Sequence, residues 1–246
     1  NHLRKKRRLN INRLKKGLEE YNEEKGTDFK IAEERIQGSL AMHTIVQNDS
    51  NDFDIDVGIV FEADNLANRG AESTRNMFRN ALERKTNTFT DEPEVKTSCV
   101  RLKYSEGYHV DFAIFRRHKE YEWDDEFTYE HAGNKWSIRD IKALEEWFSQ
   151  KIKEKGIELR QLVRLSKMFC KSRDTWGTLP SGMIQTVICE EVFDYNYDRI
   201  DEKFYFTMKN IVNRLSYTLE VRAPIDNNRL LTTRQIDLEL MERWKN

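Results

Sequence analysis

An α+β fold in two lobes is what this sequence predicts, and three observations predict it. Apolar residues alternate along Asp54–Phe61 and along both arms of 100–114, which is the period of strands. Apolar residues recur at steps of three and four before residue 25 and again beyond 137, which is the period of helices. The length, 246 residues, gives one large domain or two small lobes a real core.

The first 25 residues read as one long helix, with Ile11, Leu14, Leu18 and Tyr21 on one face and Gly26 at its end. A shorter helix is expected through Ala32 and Ile36. In the strand that follows, Ile55, Val57, Ile59 and Phe61 share a buried face. A helix over 71–84 carries Met77, Phe78, Ala81 and Leu82. Val100, Leu102 and Tyr104, the turn Ser105-Glu106-Gly107, and then Tyr108, Val110, Phe112 and Ile114 predict an antiparallel hairpin. Ser137 with Asp140 resembles a capping box opening a helix that holds Ile141, Leu144, Phe148 and Ile152. Further helices carry Leu159, Leu162, Val163, Leu165 and Phe169; then Ile184, Val187, Ile188 and Val192, starting near Ser181; then Phe204, Met208, Ile211 and Leu215. Pro224 and Asn227-Asn228 interrupt the pattern before a last helix ending near Trp244. The expected division is an α/β lobe over 1–135, braced by the first helix, and a helical lobe over 136–246.

Composition excludes several classes. Lys and Arg number 42 against 43 Asp and Glu, so no global basic balance announces a nucleic-acid binder. The basic run Arg4–Arg8 could touch nucleic acid, but reads more simply as the solvated end of a surface helix. No apolar run approaches the roughly 20 residues of a membrane helix, so no membrane partner is expected, and no signal-peptide pattern opens the chain. Cys99, Cys170 and Cys189 lie far apart and in no CxxC arrangement, which fits a reducing cytoplasm. With the His residues also scattered, a structural zinc site is not expected.

Three carboxylates carry the functional signal. Asp54 and Asp56, two apart on a strand, leave it on the same face. Asp111 lies on the return arm of the hairpin, opposite in phase to Val110 and Phe112. If that arm pairs beside the first strand, the three converge. Asp is disfavoured inside strands, and two Mg²⁺ ions, with Mn²⁺ able to substitute, give a reason for three there. Hard cations want carboxylate oxygens and leave other positions to substrate phosphates. A lone Asp-x-Asp is more often a wet sheet face. Upstream, however, stands Gln37-Gly38-Ser39, where glycine permits close backbone approach to a phosphate and the Ser hydroxyl adds a donor.

Gly38-Ser39, Asp54-x-Asp56 and Asp111 together resemble the polymerase-β-type nucleotidyltransferase pattern. Within it, Gln37-Gly38-Ser39-Leu40-Ala41-Met42-His43-Thr44, the strand from Asp54 to Phe61, and Tyr108-His109-Val110-Asp111-Phe112 resemble the bacterial CD-NTases. These are relatives of cyclic GMP-AMP synthase and oligoadenylate synthetase. Arg164–Phe169 and Leu179-Pro180-Ser181-Gly182 are similar to that family's helical segments. The resemblance implies that Asp54, Asp56 and Asp111 are the metal-binding triad, with Asp111 helping to activate the acceptor hydroxyl. It implies that Gly38 and Ser39 hold the donor triphosphate, and that Lys167 and Ser181 contact it. Read without the resemblance, Lys167 is a solvated helix lysine and Ser181 an N-cap.

NTP substrates, ATP among them, and a cyclic di- or trinucleotide product follow from the same resemblance. So do a downstream effector that binds the product and a place in anti-phage (CBASS) signalling. The chain departs from the animal enzyme in lacking a Cys/His zinc insertion. It also opens on Asn and ends early beside its bacterial relatives, so further residues are expected. Rival readings are transfer of a nucleotide onto RNA or protein, and a non-catalytic nucleic-acid sensor with the same fold. The three intact aspartates argue against the latter.

Overall fold

A computed structural model describes residues 2–47, 53–86 and 91–246, with Asp174 as backbone only. It divides into two compact units, one of residues 1–41 and 49–141, the other of 42–48 and 142–246.

In the first unit, helix α1 (His2–Lys25) buries Ile11, Leu14, Leu18 and Tyr21, as its spacing predicts, and ends where Gly26 takes φ +62°. Its basic end is less solvated than expected. Lys6 pairs with Glu106 and lies 3.6 Å from the centre of the Tyr108 ring, which ties α1 to the turn of the hairpin. The expected helix through Ala32 and Ile36 is instead strand β1 (Ile31–Ile36), antiparallel to β2 (Asp54–Glu62). Ala-Glu-Glu-Arg has good helix propensity, but pairing along an open sheet edge overrides it. Ion pairs reward that choice: Glu33 meets Arg35 on its own strand and Arg117 from another strand of the sheet.

After the four-residue α2 (Gly38–Ala41) and β2 comes α3 (Ala71–Glu83), then β3 (Glu94–Val95), β4 (Val100–Lys103), β5 (His109–His118), β6 (Thr128–Ala132) and β7 (Trp136–Ile138). The sheet runs β1-β2-β5-β4-β3, with β6 on the far half of β5 and β7 beside β6. It is mixed, because β2 and β5 pair in parallel while the other pairs are antiparallel.

Ile55, Val57, Ile59, Phe61, Leu102, Val110, Phe112 and Ile114 are all fully buried, each worth roughly 1.5–3 kcal/mol in area removed from water. α3 covers part of this core, with the Phe78 and Phe112 rings 5.4 Å apart. α1 approaches α3 closely at Gly17, where a Cβ would strike the Ala81 carbonyl. Ser137 lies in β7, opposite His131, so the expected capping box does not form there. The units accordingly divide at 141/142 and not at 135/136, and Ile141 packs with Val60 and Phe115 of the first unit.

The second unit is helical: α4 (Ala143–Lys155), α5 (Glu158–Lys171), α6 (Gly182–Glu191), α7 (Ile200–Tyr217) and α8 (Gln235–Lys245). Between α7 and α8 stands a hairpin the sequence did not announce, β8 (Arg222–Ala223) and β9 (Asp226–Leu230). Phe148, Leu162, Val163, Ile188, Ile211 and Met241 form the core, joined by Met42 from the 42–48 segment. The buried stripe of α5 runs through Leu159, Leu162, Val163, Ser166, Lys167 and Cys170, so Leu165, expected inside, faces outward.

Candidate active site

The site begins where β1 ends. Gln37 donates its backbone N–H to the Asp56 carbonyl at 3.0 Å, and the chain then turns into α2 with Gly38 at φ +61°. Two constraints meet at Gly38. The left-handed backbone disfavours any side chain, and a Cβ would collide with the Asp56 carboxylate. Ser39 follows in the first turn of α2. Gly58 gives a second close approach, since a Cβ there would stand 3.0 Å from Cδ of Gln37.

The strand register brings the three aspartates together. Asp56 on β2 is the direct partner of Asp111 on β5, and Asp54 is the partner of His109. Residues level with each other on adjacent strands share a face, about 4.8 Å apart. Asp54, Asp56 and Asp111 therefore line one face, while Ile55, Val57, Val110 and Phe112 fill the other. Asp54 is open, with 48% of its side chain exposed, and Asp111 is more enclosed at 14%.

Two further side chains, both missed in the sequence, complete the cluster. Arg101 on β4 is the antiparallel partner of Asp111. Its Nε donates to Asp111 Oδ1 at 2.7 Å and its Nη2 to Oδ2 at 2.6 Å, a bidentate fork. The same Nη2 stands 3.5 Å from Asp54 Oδ1. The Asp111 hydrogen bonds, opposed by burial, raise the Arg101 pKa. His109 Nδ1 lies 3.1 Å from Asp54 Oδ1. Counting back from the Ser105–Gly107 turn, closed by the Tyr104 N–H to Tyr108 O bond at 3.0 Å, places Arg101 opposite Asp111, so the signal was present. Beneath this cluster the Cys99 thiol is pushed up to about 12, by burial first and then by the Asp111 charge.

Among the described residues no group of three His, Cys, Asp or Glu side chains stands ready to hold a metal ion. Donor chemistry and strand positions nonetheless fit hard cations, with three carboxylates on one face and a glycine loop closed against one of them. As the side chains stand, Arg101 holds Asp111.

Within the second unit Lys167 is not the solvated lysine of the plain reading. It is 6% exposed, and its Nζ lies 3.0 Å from Thr44 Oγ1 and 3.4 Å from Thr44 O. A buried ammonium must be paired or hydrogen-bonded, and Thr44 supplies its hydroxyl and carbonyl oxygens. At Gly182 a Cβ would stand 3.3 Å from the Lys167 Cε and Nζ, so α6 begins hard against this lysine. Ser181 caps α6, its Oγ accepting the Ile184 N–H at 3.3 Å.

A mixed sheet with aspartates level on two parallel strands, entered through a Gly-Ser turn, has the fold of the polymerase-β-type nucleotidyltransferases. Residues 32–115 match the family described as cyclic GMP-AMP synthase DncV-like, nucleotidyltransferase domain. A cyclic GMP-AMP synthase of Escherichia albertii is 29% identical over 212 residues, covering 81% of this chain and 46% of that protein. Vibrio cholerae DncV holding the linear intermediate 5′ pppA(3′,5′)pG superposes with TM-score 0.68 at 19% identity, over 87% of this chain and 60% of that one. Escherichia coli DncV bound to 3′-deoxy GTP gives 0.65 at 22% identity, over 87% and 61%. The structural matches speak for the fold, and the chain spans about half to three fifths of the length of these relatives. The chain is thus similar to the bacterial CD-NTases, and the match to the nucleotidyltransferase domain of that group falls on residues 32–115. No helix among the described residues is long and apolar enough to cross a membrane.

Proposed function

We propose that this chain joins nucleoside triphosphates, ATP among them, into a cyclic di- or trinucleotide messenger in the bacterial cytoplasm, as part of anti-phage signalling. The observation that carries the reading is the register that sets Asp56 level with Asp111, two residues from Asp54, inside the segment matching the nucleotidyltransferase family. The Gly38-Ser39 turn offers a backbone amide and a hydroxyl to the donor triphosphate. Lys167 adds a cation and Ser181 a hydroxyl for the same phosphates. The acceptor's 2′- or 3′-hydroxyl attacks the donor α-phosphorus. A new P–O bond forms, the bond to the β-phosphate oxygen breaks, and pyrophosphate leaves. Asp111 would help to draw off the hydroxyl proton. Asp54, Asp56 and Asp111 would hold two divalent cations, Mg²⁺ or Mn²⁺, which supply Lewis-acid stabilisation of the phosphoryl charge when bound. A second transfer closes the ring. Vibrio cholerae DncV, similar in fold, was solved with ATP and GTP and with a linear pppA(3′,5′)pG intermediate, which supports the choice of substrates.

Incubation of the chain with all four NTPs and Mg²⁺ or Mn²⁺, followed by mass spectrometry, tests the proposal. The expected product is dinucleotide- or trinucleotide-sized and resists phosphatase, because a ring has no terminal phosphate. Asp56→Asn should lower its formation by about a hundredfold or more, the scale of losing one group that stabilises transition-state charge, with the thermal midpoint nearly unchanged. Label accumulating on RNA or on a protein, without phosphatase-resistant small products, would replace the cyclase reading with its rival.

A further inference from the structure

Arg101 takes no part in the reaction as drawn, yet it grips one of the carboxylates the reaction needs. We infer that Arg101 is an internal counter-ion for Asp111 that a divalent cation must displace, so that metal entry and release of the guanidinium are a single event. The inference rests on the metal-dependent reading above and goes beyond it. Each oxygen of Asp111 already receives a charged N–H, at 2.7 and 2.6 Å. A cation would compete with the fork for those same two oxygens and for their negative charge. The guanidinium also reaches within 3.5 Å of Asp54 Oδ1, so its charge opposes a second positive ion across the whole face.

The contact is built into the fold. Arg101 and Asp111 are directly opposed across the β4–β5 hairpin, so both backbones are fixed by ladder hydrogen bonds. The Arg101 side chain is 20% exposed, which leaves its long stem a path to solvent while β4 stays in place. In the metal-free protein the pair neutralises a carboxylate that would otherwise stand beside Asp54 and Asp56 with like charge. In the loaded protein the metal takes over that neutralisation. A guanidinium suits this task because it never loses its charge and its fork matches a carboxylate.

Mn²⁺ binding, measured by titration calorimetry on the 246-residue chain without nucleotide, tests the inference. Arg101→Gln removes both the competitor and a repelling charge. Its Mn²⁺ dissociation constant should fall by about tenfold or more, the scale of a charge-assisted hydrogen bond. The metal concentration that half-saturates transfer should fall in step. Arg101→Lys, which keeps the charge but loses the fork, should lie between Arg101→Gln and the unaltered chain. Unchanged or weaker Mn²⁺ binding in a folded Arg101→Gln protein overturns the inference. If Arg101→Gln does not fold, Arg101→Lys decides, and an affinity no tighter than that of the unaltered chain counts against it. Product formation by the unaltered chain with equal Mn²⁺ affinity in every variant removes the role of Arg101 alone. No Mn²⁺ binding and no NTP product from any of them removes the metal reading, and this inference with it.

Discussion

Gly26 and Gly38 share a backbone conformation, φ +62° and +61°, but not a setting. Nothing lies within 4 Å of where a Cβ would stand on Gly26, whereas at Gly38 the Asp56 carboxylate occupies that space. Alanine at Gly26 therefore costs only the left-handed backbone, about 1–2 kcal/mol. Alanine at Gly38 adds the displacement of Asp56. Urea denaturation should find Gly38→Ala at least as destabilised as Gly26→Ala, and product formation should collapse only in Gly38→Ala. Equal activity in the two variants would detach Gly38 from the site. At this scale the sequence was informative where a residue type contradicted its setting, as aspartates in strands and a Gly-Ser turn before them do. Arg101 escaped because an arginine on the outward phase of a strand contradicts nothing. Its meaning appears only when the hairpin register is counted through to Asp111.

Elements with strong periods were legible: α1, β2, α3, α5, α6 and α7 lie where apolar spacing puts them. Elements that depend on a partner were not. β1 has the composition of a helix and becomes a strand because β2 offers it an edge. β8 and β9 are short and polar, so no alternation betrays them. Ser137 and Asp140 mimic a helix start, but β6 claims Ser137 for the sheet.

The true start of α8 is capped with no Ser or Thr. Asp237 reaches back to the Arg234 N–H at 3.0 Å and takes the Arg234 guanidinium at 2.7 Å. Those Arg234 hydrogen bonds hold the Asp237 carboxyl below its ordinary 3.8. A folded pKa below the unfolded one means stabilisation that is present above about pH 4 and lost as pH falls through the folded value. Urea midpoints taken from about pH 5 down to about pH 3 should therefore fall further for the unaltered chain than for Asp237→Asn. Near pH 7, Asp237→Asn should be less stable by about 1 kcal/mol, the worth of a typical cap. Parallel pH curves for the two proteins would show that the carboxylate is not linked to folding.

For the molecule as a whole, an α+β fold with the strands early and the helices late was readable from period alone. The place of residues 42–48 was not. That segment follows the α2 turn of the first unit, yet packs with the second, Met42 joining its core and Thr44 receiving Lys167. Neither contact leaves a mark on hydropathy. The cysteines, which contribute nothing to the proposed chemistry, are distributed with equal reserve. Cys99 is buried in the first unit, and Cys170 and Cys189 in the second. Burial pushes their thiols up to about 12, 12 and 11. At mildly alkaline pH they should resist iodoacetamide until their own unit opens, because the thiolate is the reacting form and each is shielded. Alkylation of all three in seconds without denaturant would contradict that burial. The chain thus carries a separate chemical clock in each half. Pulsed alkylation read by mass spectrometry would time the opening of the sheet and of the helices independently, and a triphosphate should slow both clocks, since each half is proposed to supply groups that hold it.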